Sequence, residues 1–123
     1  MTDLLGYRKL IGIVVPSTNT SVQPECDALR VPGVTNHIAR VTTPERKISS
    51  DAAYEAHLQA MREGIEPALD QVMTAQPDHV VMGVAIEAFQ GGVAHADQFQ
   101  ESLAQHCGVG ISMGSTAAVR ALR

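Results

Sequence analysis

Three short segments of this 123-residue sequence gather groups able to hold an anion. The first is Pro16-Ser17-Thr18-Asn19-Thr20-Ser21, which follows the apolar run Leu10 to Val15 and carries five successive hydroxyl or amide side chains. A strand that ends in such a run places short polar side chains around the free N–H groups of a helix start, where oxygen anions are held. The loop has no lysine and no Gly-x-x-x-x-Gly-Lys-Ser/Thr pattern, so it is not a nucleotide-binding P-loop. One or two oxygens of a small carboxylate suit it better than a polyphosphate. The competing reading is purely structural: the same residues also cap helices and turn chains.

The second segment runs from Val81 through Gly83, Val84, Ala85 and Glu87 to Gly91-Gly92. Gly83 permits close backbone approach, and the N–H groups that follow it, on Val84 and Ala85, are candidates for an oxyanion-binding nest. Glu87 is a candidate acid or base, although a single loop glutamate is more often solvated or a helix cap. The third segment, Ser112-Met113-Gly114-Ser115-Thr116, repeats the polar, glycine-containing character. His37, His57, His79, His95 and His106 show no metal-ligand spacing with Cys or carboxylates, and no Ser/His/Asp arrangement can be argued. Cys26 and Cys107 are too few and too far apart for a disulfide framework or zinc cluster, and read as small buried hydrophobes.

The elements that must position these segments are legible as alternating patterns. Four apolar runs read as strands: Leu10 to Val15, Val34 to Val41, His79 to Met82, and Val109 to Met113. Runs of β-branched residues without alternation imply burial on both faces, hence a parallel sheet. Ser49-Ser50-Asp51 opens a helix with an apolar stripe at Tyr54, Leu58, Met61, Ile65, Leu69 and Val72. Pro67 falls inside the stripe, so a kink or restart near Gly64 is expected. A further helix is expected from about His95 to Gln105, facing inward through Phe99 and Leu103 and stopped at Gly108. The last is expected from Ser115 to Arg123.

The order β-α-β-α-β-α-β-α makes the expected fold α/β: an open parallel four-stranded sheet with flanking helices, in one domain spanning residues 1–123. Ligands of such folds bind beyond the C-terminal ends of the strands. All three polar segments lie there.

Composition narrows the function classes. The chain holds two Phe, two Tyr and no Trp, so its core must be aliphatic. A net charge of −4 and the absence of a basic run argue against a nucleic-acid partner. No apolar stretch is long enough to span a bilayer, and Met1 to Gly6 lacks the pattern of a signal peptide, so a cytoplasmic protein without a membrane partner is expected.

At these same segments the sequence resembles a family. Ile11-Gly12-Ile13-Val14-Val15-Pro16-Ser17-Thr18-Asn19-Thr20 is similar to the opening strand and P-S-[ST]-N-T loop of maleate cis-trans isomerases. Met82-Gly83-Val84-Ala85-Ile86-Glu87-Ala88-Phe89 with Gly91-Gly92 resembles the M-G-x-[SA]-x-E-[TA]-F segment of arylmalonate decarboxylase-like members, and Val109 to Ser115 resembles the fourth strand. The resemblance, which extends to the aspartate/glutamate racemases, covers nearly the whole chain in order. It implies a flavodoxin-like half of an Asp/Glu racemase fold. It further implies a cofactor-independent isomerase, decarboxylase or racemase of small mono- or dicarboxylic acids.

By that resemblance, Asn19 binds a substrate carboxylate with Pro16, Ser17 and Thr18 beside it, while Gly83, Val84 and Ala85 line the developing negative charge. No metal, nucleotide or flavin is implied. Family enzymes are about twice this length and place cysteines in opposed halves, so this chain corresponds to an N-terminal half. Gly83 stands at the first-half cysteine position, as in the decarboxylases, and Val84 and Ala85 replace their hydroxyl pair. The expected partners are a small carboxylate substrate and either a second copy of the chain or a second half. The alternative is a non-catalytic organic-acid-binding or dimerisation module of the same fold.

Overall fold

The computed structural model describes residues 3–84 and 91–123. In chain order these form β1 (Lys9–Pro16), α1 (Val22–Ala28), β2 (Val34–Val41), α2 (Asp51–Met73), β3 (His79–Met82), α3 (Gly92–Cys107), β4 (Gly110–Met113) and α4 (Gly114–Ala121). The four strands form one parallel sheet in the order β2-β1-β3-β4. This is the expected α/β architecture. Right-handed crossovers place α1 on one face and α2 and α3 on the other, because the chain steps one way from β1 and then back across it.

Burial follows the strand order. β1 is flanked on both sides, and Gly12 to Val15 are all buried. Edge strand β2 alternates only weakly, with Ala39 and Val41 inside. The core joins Val14, Val80, Met82, Ile111 and Met113 of the sheet to Met61, Ile65, Leu69 and Val72 of α2 and to Ala96 and Leu103 of α3. Each fully buried aliphatic side chain contributes about 1.5–3 kcal/mol relative to exposure.

Helix α2 shows how local signals and packing combine. Ser50 is its N-cap, with Oγ accepting from the Ala53 N–H at 3.1 Å. The buried stripe starts at Leu58 rather than Tyr54, which is 38% exposed. A helix of this length spans roughly 35 Å against roughly 26 Å for the longest strand, so its first turn overhangs the sheet. Contrary to expectation, the helix continues through Pro67 without a restart. Pro67 is exposed while Ile65, Ala68 and Leu69 are buried, so the packed face carries the helix across the missing N–H. Gly64 has a packing role: a Cβ there would meet Val41 Cγ1 at 2.8 Å.

Helix α3 begins earlier than expected, at Gly92, and buries Ala96 and Leu103, with Phe99 only half-buried. Gly108 ends it in the left-handed region, φ 72°, donating to Ala104 O at 2.8 Å. Helix α4 occupies Gly114–Ala121, slightly ahead of the expected segment.

Candidate carboxylate site at the β1 and β3 strand ends

The strand order reverses between β1 and β3, and that switch point is where open α/β sheets leave a crevice. Val14 pairs with Met82, so Val15-Pro16 and Gly83-Val84 continue side by side beyond the last paired residues. The register therefore sets Val15 and Pro16 beside Gly83 and Val84, with Ser17, Thr18 and Asn19 following in the loop toward α1. Ala85 and Glu87 lie outside the described residues.

The β1–α1 loop is held by bonds from three directions. The Ser17 N–H donates to Val41 O at 2.7 Å, and Ser17 Oγ accepts from the Thr43 N–H at 2.8 Å, tying the loop to the end of β2. The Asn19 N–H closes a turn on Pro16 O at 3.0 Å. The side-chain Oδ1 of Asn19 accepts from the N–H groups of Ser21 (3.1 Å) and Val22 (2.9 Å), the first N–H groups of α1. Ser21, by contrast, makes no side-chain cap.

This arrangement fixes the polarity of the amide. With Oδ1 committed to two donors, Nδ2 is the outer end, and it has no partner among the described residues. Asn19 is half-buried, while Ser17 and Thr18 are exposed. The backbone N–H groups of Thr18 and Thr20 also make no hydrogen bond among the described residues. The unengaged backbone and amide donors at this loop are therefore Asn19 Nδ2 and the N–H groups of Thr18 and Thr20.

One residue at this loop carries charge, and sequence reasoning passed over it. Arg40 stands opposite Val15 in the β1–β2 register. Its Nη1 donates to Asn19 O at 2.9 Å and Pro16 O at 3.3 Å, and its Nη2 donates to Gln23 Oε1 at 2.7 Å. The available signal was a charged residue near the end of a strand whose neighbours in the sheet are apolar.

The β3 side is tight. The Gly83 N–H continues the ladder by donating to Val14 O at 2.7 Å, so it is already engaged, whereas the Val84 N–H has no partner among the described residues. Val84 itself is 6% exposed and packs in the core. A Cβ at position 83 would lie 2.6 Å from Val15 Cγ1, 3.2 Å from Val14 O and 3.2 Å from Val22 Cγ1. Glycine is required here by space.

Neither cysteine has the surroundings of a reactive thiolate. Cys26 sits in α1 and Cys107 at the last turn of α3, the opposite edge of the sheet. Burial raises both thiols above their ordinary value, helped by Asp27 and Glu25 at Cys26 and by Asp70 at Cys107. Nucleophilic thiolates need the opposite environment. Among the described residues no cluster of His, Cys, Asp or Glu could hold a metal. No helix among them is long and apolar enough to cross a membrane.

The third polar segment is a packed junction. Thr116 Oγ1 donates to Gln100 Oε1 at 2.6 Å and is 3.1 Å from Met113 O, and Gln100 Nε2 donates to Ile111 O at 2.7 Å. A cavity of about 340 Å³ lies beyond it between α3 and α4, lined by Val93, Ala96, Ser115, Thr116 and Arg120 among others. No residue of the β1–α1 loop lines that cavity, so the unengaged donors of the loop, rather than this hollow, locate the candidate site.

No protein-family model and no curated relative match the sequence. Among solved structures, the fold is similar to that of the Nocardia farcinica maleate cis-trans isomerase bound to TRIS, with a TM-score of 0.76 and 22% identity. The similarity covers 94% of this chain and 48% of the isomerase chain, so this chain spans about half the length of that enzyme. Its four parallel strands and flanking helices have the fold of one half of a maleate isomerase.

Proposed function

We propose that the strand ends of β1 and β3 bind one carboxylate of a small organic acid. In this reading the chain is the carboxylate-binding half of a cofactor-independent isomerase, decarboxylase or racemase of small mono- or dicarboxylic acids. The observation that carries the reading is the orientation of Asn19: Oδ1 is spent on the start of α1, leaving Nδ2 as a donor beside the N–H groups of Thr18 and Thr20. The N–H of Val84 and the hydroxyl of Ser17 add donors, and the start of α1 adds its positive end. Fixed donors act on charge that develops at the substrate without having to reorganise.

The residues of the described site hold an anion but do not move a proton. Ser17, Thr18, Asn19, Gly83 and Val84 carry no group that titrates near neutrality, and position 83 is closed to a thiol by Val15 and Val22. This favours a division of labour in which a second α/β half supplies the acid/base group. The same observation supports the second reading, a non-catalytic module that binds organic acids, because ground-state binding alone does not lower a barrier.

Asn19→Asp tests the carboxylate reading with the cap left in place. Aspartate caps as well as asparagine does and suits a helix start, so thermal stability should hold. Its second oxygen replaces the outward donor with a repelling acceptor. Malonate or maleate affinity by titration calorimetry should fall by about 1.5–3 kcal/mol, the range for a hydrogen bond to a charged group. Unchanged affinity would reduce Asn19 to a helix cap.

A further inference from the structure

We propose that Arg40 is the positioning residue of this site, holding Asn19 in its donor-outward orientation and supplying the positive charge that selects an anion. The inference rests on the carboxylate reading of the β1–α1 loop and adds a residue from β2 to it.

The guanidinium spans the loop from its first residue to α1. Nη1 engages the carbonyls of Pro16 and Asn19, at 3.3 and 2.9 Å, and Nη2 engages Gln23 Oε1 at 2.7 Å. The planar fork fixes three acceptors at once, which a point-charge ammonium does not do. Pinning Asn19 O fixes the peptide that carries the side chain, and with it the reach of Oδ1 to Ser21 and Val22. It also withdraws two carbonyl dipoles that would otherwise repel an anion.

All three acceptors are neutral. Asp27, which lines the same open groove as Arg40, instead accepts from Asn36 Nδ2 at 2.9 Å, and Arg40 makes no ion pair among the described residues. Its charge therefore has no direct carboxylate partner at this loop. An arginine kept only for folding gains nothing from this lack of a carboxylate partner, whereas an anion site does.

The experiment is titration calorimetry of the full-length protein with malonate, at low and at moderate ionic strength, on wild type, Arg40→Met, Arg40→Lys and Asn19→Asp. Arg40→Met should weaken malonate by about tenfold and flatten the salt dependence of the remaining affinity. Arg40→Lys should recover the salt dependence but only part of the affinity, because charge returns without the fork. In wild type the Asn19 side-chain amide resonances should shift on malonate addition, and in Arg40→Met that shift should shrink. Should Arg40→Met not fold, Arg40→Lys alone decides, by keeping the salt dependence with weaker binding. If Arg40→Met, or Arg40→Lys standing in for it, binds as wild type while Asn19→Asp does not, the role of Arg40 is overturned and the carboxylate reading stands. If wild type binds no malonate, the carboxylate reading fails and the proposal with it.

Discussion

The two edges of the sheet differ in kind. At the C-terminal edge, around Asn19 and Val84, the groups are neutral donors and one arginine with no direct carboxylate partner. Toward the N-terminal edge the titratable side chains find partners within the fold. Lys9 Nζ meets Asp78 Oδ1 at 2.9 Å, and Asp78 Oδ2 accepts from the Leu10 N–H at 2.9 Å. His79 Nε2 lies 2.8 Å from Ser112 Oγ, and His106 Nε2 lies 2.7 Å from Asp70 Oδ1. One edge ties its charged side chains to partners within the fold; the other leaves donors without partners among the described residues. That leftover polarity is what a ligand site requires.

The contrast can be broken most strongly at Gly83. Gly83→Cys places a side chain against Val15, Val14 O and Val22, and overpacking of this sort costs about 1–3 kcal/mol in denaturant unfolding. Adding Val15→Ala should return much of that loss by removing the nearest contact. Wild-type stability in the single variant would mean that the strand end yields easily and that a thiol there is sterically allowed.

A smaller effect is expected across the sheet. Ser112→Ala removes the partner of a half-buried histidine, a loss of about 0.5–1.5 kcal/mol by the same unfolding measurement. Malonate affinity should not change, because Ser112 sits on β4 opposite Val81, two strands from β1 and its loop. Weakened binding in this variant would erase the distinction between the edges.

The smallest effect is one of pH. Hydrogen bonding to Asp70 raises His106 above its ordinary value of 6.5. A raised value means that the stabilisation is fully present below about 6.5 and fades as pH rises through the higher folded value. Thermal melts of wild type and His106→Asn should therefore differ slightly at pH 6 and converge in mildly alkaline solution. Asp78 behaves in the opposite sense. The Lys9 hydrogen bond and the Leu10 N–H lower it, so its contribution is present above its ordinary value of 3.8 and is lost as pH falls further. A His106→Asn difference that grew with pH would show that the Asp70 pairing is not what raises it.

Much of the framework was legible from residue order alone. The short apolar run set β3 at its observed limits, and the weaker run Val34 to Val41, more polar because it forms an edge strand, set β2 at its own. The stripe from Leu58 to Val72 and the Ser50 cap set α2 by local periodicity, and the Ser-Thr-Asn-Thr-Ser run marked the loop proposed to hold an anion. The restart expected near Gly64 did not follow: the helix runs unbroken through Pro67, since the packed face on either side of it outweighs one missing hydrogen bond.

What only the tertiary structure decided is which way each polar group faces. The same asparagine is a cap or a donor until Oδ1 is seen committed to Ser21 and Val22. Arg40 belongs to the site because it reaches back 24 residues to Pro16 across a strand pairing, and no local pattern encodes that partner. Gly83 is obligatory because Val15 and Val22 occupy the space of its missing Cβ, a constraint set by neighbouring strands rather than by its own turn. Local periodicity determines which residues are buried, but the direction of a hydrogen bond depends on partners that only folding brings within 3 Å.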